Sequence, residues 1–268
     1  MNEYLMLELV AESCTAEALV NGIPVSRSTP GGYLQTQRPV HEFLMSTGNI
    51  IQLVVEPGPT PGKAEQARQI VSETGISARI SFRSMPQGSY PEDPDVKNIA
   101  SIDFHAPAGT SLPVPVVRQA QVDGFPWLPK LSWLANPPIR LTPEITERAT
   151  KLLKDISTAL SKGDPEPFIS AAPVRFNEIA AAYEQSPEAL KSKFRNQFKT
   201  VFTKPGFKME PLDSQKLDLR LCGKNNIIDC LDTEWEPVLR AAKLDDGTTP
   251  IRYPVKLAFI NNILQIVR

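Results

Sequence analysis

The sequence predicts two domains of different class: an all-β sandwich of jelly-roll type, then an α+β domain whose helices pack on a curved antiparallel sheet. Three observations carry this. The chain has 268 residues, above the usual size of one domain. Apolar residues recur with period two over residues 1–123 and with a helical period from residue 142. Between the two regimes, residues 124–141 are rich in proline and tryptophan.

Composition supports cores in both halves, with 41% hydrophobic and 22% charged residues, near globular averages. The formal net charge of −1 gives no global attraction to nucleic acid or anionic lipid, so neither is an expected partner. No run approaches the roughly 18 apolar residues of a membrane helix, so no membrane insertion is expected. Met1–Glu8 lacks the basic start of a signal peptide, and the expected location is the cytoplasm. Cys222 and Cys230 flank a predicted turn and could face each other across a hairpin. With Cys14 they are few and odd in number, and buried thiols are the expected state.

In the first domain (1–123), Leu5, Leu7 and Leu9 define one strand, and Ile51, Leu53 and Val55 another. Ala78, Ile80 and Phe82 alternate with Arg79, Ser81 and Arg83, and Ile102 and Phe104 alternate with Asp103 and His105. Asn21-Gly22 and the Glu56–Gly62 cluster separate such runs as turns, which is sandwich punctuation. A helical turn or two is expected at Ala64–Glu73.

Ala18 to Val55 holds Asn21-Gly22-Ile23-Pro24-Val25, Gly31-Gly32-Tyr33, Val40-His41-Glu42-Phe43-Leu44 and Gly48-Asn49 before an apolar strand. That order resembles the galactose-binding-like jelly-roll modules attached to many glycosidases. It covers about 40 residues, all scaffold, and implies a fold rather than a sugar site.

The 124–141 segment pairs its prolines with Trp127, Trp133, Leu128, Leu131 and Leu134, more apolar surface than a free linker carries. It is expected to be a connection packed across both domains, with both tryptophans buried and the boundary near residue 140.

In the second domain (142–268), Thr142 is the expected N-cap and Pro143 the first helical residue. Ile145, Ala149, Leu152, Leu153, Ile156 and Leu160 then trace one face until Gly163. Further helices are predicted from Asp164-Pro165, over Val174–Glu184, and from Ser186-Pro187 to Phe202. Strands follow at Leu217–Leu221, Ile227–Leu231 and Val255–Phe259, the last turning at Asn261-Asn262 into Ile263–Val267. Helices before a meander, with Lys162-Gly163-Asp164 after the first, resemble the nuclear-transport-factor-2-like (cystatin-like cone) domains. Some members of that family are enzymes and many bind ligands. Their Asp–His pairs cannot be carried over, because this half contains no histidine.

The catalytic inventory is thin. His41 and His105 are the only histidines, and no nucleophile elbow, P-loop, Rossmann glycine pattern, zinc-protease motif or Cys-x-x-Cys occurs. Asp103-x-His105 could offer two metal ligands, but a third of suitable type is missing, and neither metal nor cofactor is expected. Carboxylate chemistry through Asp218, Asp229 or Tyr183 in a cone pocket stays open. One charge feature stands out: six basic residues and no acid between Lys191 and Lys208. Lys191, Arg195 and Lys199 lie four apart beside Leu190, Phe194, Phe198 and Phe202, which makes them the candidate partner-binding residues or, alternatively, a solvated helix flank. The expected activity is binding without catalysis, as in a bacterial adaptor or a toxin-neutralising immunity protein. A carbohydrate-binding module and a small-molecule enzyme are the alternatives.

Overall fold

The Leu5–Leu7–Leu9 alternation builds β1 (Glu3–Glu12), the central strand of a sheet that runs β4 (Tyr33–Pro39), β1, β7 (Ile76–Pro86), β8 (Lys97–Ala106). The computed structural model describes residues 3–28, 32–56, 68–90, 93–242 and 251–268. Leu5, Leu7, Leu9 and Ala11 are buried, as are Ala78, Ile80 and Phe82, which register beside Ala11, Leu9 and Leu7 in β7. One face of the sheet therefore supplies core, as period-two patterning demands. The other face is polar, and Glu8 on it accepts a hydrogen bond from Gln35 Nε2 at 2.9 Å and meets Arg83 at 3.2 Å.

A second antiparallel sheet has the order β10 (Val116–Val122), β5 (Asn49–Val55), β2 (Ala16–Val20), β3 (Ile23–Arg27). Ala16, Ala18, Val20, Ile51, Leu53 and Val55 are buried in it. The prolines respect the ladders. Pro24 and Pro39 sit on the edge strands β3 and β4, where a missing donor breaks no central ladder. A two-stranded ribbon joins β6 (Arg68–Val71) to β9 (Ser111–Val114). This corrects the helical expectation: Arg68–Val71 is strand, because a partner distant in sequence supplies its hydrogen bonds. Residues 64–67 and the turn residues 57–62 lie outside the described residues.

In the C-terminal half, α1 (Pro143–Ser161) starts at Thr142, whose side chain accepts from the Ile145 N–H at 3.3 Å. Then come α2 (Glu166–Ala171), α3 (Pro173–Ala182) and α4 (Pro187–Phe202). The sheet order is β11 (Leu217–Cys222), β12 (Ile227–Asp232), β13 (Lys256–Ile260), β14 (Ile263–Ile266). Asn261 and Asn262 both take positive φ in the last hairpin, as a two-residue turn of that hand requires. The core between helices and sheet contains Leu153, Ile156, Leu160, Phe168, Phe176 and Phe198 from the helices, with Ile228, Cys230, Leu257 and Ile266 from the strands.

The molecule is thus sheet-rich, with four antiparallel sheets and four helices among the described residues. Two compact units divide the chain, Met1–Lys130 and Leu131–Arg268. Phe125 donates its N–H to the Met45 carbonyl and sets its ring edge-on to Phe82, within the first unit. In the second, Trp133 is fully buried and the Ile139 N–H bonds the Asn225 carbonyl. Trp127 departs from expectation: it is 51% exposed, held edge-on by Phe125 and His41 of the first unit. No helix among the described residues is long and apolar enough to cross a membrane.

Candidate functional site

The Ser186 side chain caps α4 by accepting from the Ala189 N–H, Pro187 occupies the first turn, and Glu188 faces the positive helix end. The four-residue spacing then does two things at once. It sends Leu190, Phe194 and Phe198 inward, where Phe168 and Phe194 stack at 4.7 Å and Phe198 lies within 6.2 Å of Phe207 and Tyr253. It also lines up Lys191, Arg195 and Lys199 along the helix flank.

These three cations differ in state. Lys191 Nζ is 2.7 Å from Glu188 one turn back. Arg195 grips Glu166 of α2 with both ends of its guanidinium, Nε at 2.6 Å and Nη2 at 2.9 Å. The Arg195 hydrogen bond and charge hold the Glu166 carboxyl below its ordinary range, and the same pair raises the guanidinium. Lys199 is exposed and has no acidic partner among the described residues. Lys193, Lys204 and Lys208 are exposed as well. The flank is a cationic surface in which two side chains are pinned and the others point into water.

The alternative sites read differently. Asp229 is buried against Lys256, Nζ to Oδ1 at 2.6 Å. Pairing places it beside Arg220 on the strand face opposite Ile228 and Cys230, which lie in the core. Asp218 shares that opposite face, so it does not converge with a helix-side pocket. On the helix side Phe194 meets Tyr253 edge-on at 6.0 Å and stacks on Phe168, and burial pushes the Tyr253 hydroxyl up to about 12. A surface cleft of about 200 Å³ is lined by Glu210, Asp213, Lys216, Asp232 and Arg240. Arg240 is committed there to Glu210 at 2.5 Å and Asp232 at 2.6 Å, while Asp232 also accepts the Glu234 and Glu236 N–H groups. That network builds a turn.

Asp103 and His105 stand exposed on β8, opposite Arg79 and Ser77 of β7. Among the described residues no three His, Cys, Asp or Glu side chains are grouped to hold a metal ion. His41 is fully buried, stacks on Tyr4 at 6.0 Å and accepts the Leu5 N–H on Nε2 at 2.8 Å. Cys14, Cys222 and Cys230 are buried and in no disulfide. Burial pushes the Cys14 thiol up to about 11 and Cys230 well above its ordinary value, so neither offers a thiolate at neutral pH.

Comparison of the chain with protein-family models, curated proteins and solved structures finds no match. Two residues of the flank were not visible in the sequence as parts of it. Glu166 lies 29 positions before Arg195 on another helix, and nothing local signals the pair. Phe202 carried a signal that misled: its four-residue register assigned it to the buried stripe, yet it is 37% exposed.

Proposed function

We propose that this chain is a non-catalytic binding protein that docks the acidic surface of a protein partner on the Lys191, Arg195 and Lys199 flank of α4. An adaptor or toxin-neutralising immunity protein acting in the cytoplasm fits that role. The supporting observation is the cationic flank of α4, where Lys193 and Lys199 are exposed and Lys191 and Arg195 half-buried, built on a helix whose other side is locked by aromatic packing. A surface with an excess of cations, here Lys193 and Lys199 beyond the two paired ones, steers encounter without needing a pocket. The aromatic packing behind α4 favours this over chemistry in a cone pocket. The same proposal takes the first unit as a jelly-roll-like sandwich and the second as a cone-like scaffold.

The test begins with a partner identified by cross-linking, followed by association kinetics at low and high salt. In Lys191→Glu/Arg195→Glu/Lys199→Glu the fold should persist while the on-rate falls, most strongly at low salt, because exposed charges are screened. A triple variant that associates at the wild-type rate in low salt refutes the docking face.

Half-exposed Trp127 favours a second reading, carbohydrate binding by the first unit. An exposed aromatic ring can stack on a sugar ring. Retention of the chain on a polysaccharide column, lost in Trp127→Ala, would select this reading over the first.

A further inference from the structure

The cationic flank does not stop at Lys199. One turn further on, Phe202 is an exposed large apolar side chain, with exposed Lys199 and Lys204 on either side of it in the chain. Its ring is held from beneath. It stacks on Phe198 at 6.0 Å, meets Phe207 edge-on at 5.7 Å, and rests on Gly163, where an added Cβ would fall 2.7 Å from the ring. Gly163 also has φ +84°, so this seat accepts no other residue without strain. A clamped aromatic ring flanked in the chain by exposed lysines has the composition of an interface anchor with a polar rim.

We infer that the end of α4 is an anchor site for an acidic peptide segment that carries an apolar side chain between its carboxylates, the apolar group covering Phe202. This rests on the reading of the α4 flank as the docking face. Carboxylates fit the surroundings. The pinned cations already take carboxylate partners, Glu166 and Glu188.

The experiment titrates the isotope-labelled full chain, by NMR, with acetylated Glu-Glu-Leu-Glu-Glu, its serine counterpart Glu-Glu-Ser-Glu-Glu, and a single-stranded oligonucleotide of equal charge. The leucine peptide should shift the amides of Gly163 and of residues 199–204, Gly206 and Phe207, and bind about tenfold more tightly than the serine peptide. Phe202→Ser should erase that difference and Phe202→Leu should keep it. The leucine variant retains packing on Phe198 should the serine variant prove unfolded. If both peptides bind wild type equally and the triple charge reversal abolishes both, the anchor is refuted while the docking face stands. If neither peptide perturbs α4, or the oligonucleotide binds it more tightly, both ideas fall.

Discussion

His41 accepts the Leu5 N–H on Nε2, which it can do only while that nitrogen carries no proton. Burial pushes it down from the ordinary 6.5 to about 4. The unfolded chain takes up this proton as pH falls below about 6.5, whereas the folded chain resists until near 4. Stability contributed here is therefore complete above pH 6.5 and is lost as pH falls towards 4, by up to about 3 kcal/mol. Urea midpoints measured from pH 7.5 to 4 should show this loss in wild type and a flatter curve in His41→Gln. Parallel curves for the two proteins would contradict it. The sequence showed His41 without partners of catalytic type, but its role could not be read there, since the Leu5 backbone lies 36 positions away. The Arg195–Glu166 pair was hidden for the same reason. Charge runs are legible along a chain, while what neutralises them is decided by the fold.

At the scale of elements, legibility followed locality. The Thr142 cap, the α4 start at Ser186-Pro187 and the Asn261-Asn262 hairpin are set by adjacent residues and were readable directly. The β6–β9 ribbon and β10 depend on partners far along the chain, and Pro113 and Pro115 obscured the period-two signal. Two substitutions separate local from non-local control. Thr142→Ala removes one cap hydrogen bond and should cost about 1 kcal/mol. Gly124→Ala places a Cβ 2.3 Å from the Ser46 carbonyl oxygen and 2.5 Å from the Thr47 Cα, both backbone atoms that cannot swing away. Its expected cost is about 3 kcal/mol. Denaturant midpoints should rank the two in that order, and a Gly124→Ala protein no less stable than Thr142→Ala would show that the 46–47 loop yields easily.

At the scale of the whole molecule, the question is whether the two units unfold as separate cooperative bodies. Each has its own buried centre: the leucine rows of β1 and β7 in one, the helix–sheet core around Phe168 and Phe198 in the other. The second unit also encloses an ion pair, Glu178 Oε2 to Arg268 Nη1 at 2.7 Å, in which Glu178 receives Ser132 N–H and O–H and the Arg268 guanidinium lies over Trp133. Both side chains are more than nine-tenths buried, so removing the acid strands a charge that water cannot reach. Glu178→Ala should cost about 3–5 kcal/mol, confined to the unit that contains it. Calorimetry of the variant should then show two transitions, the earlier one tracking Trp133 fluorescence and the later one unchanged from wild type. Gly124→Ala should lower the other transition and leave the Trp133 signal in place. If both variants instead shift one common transition by equal amounts, the units form a single cooperative body, and independent cores are ruled out.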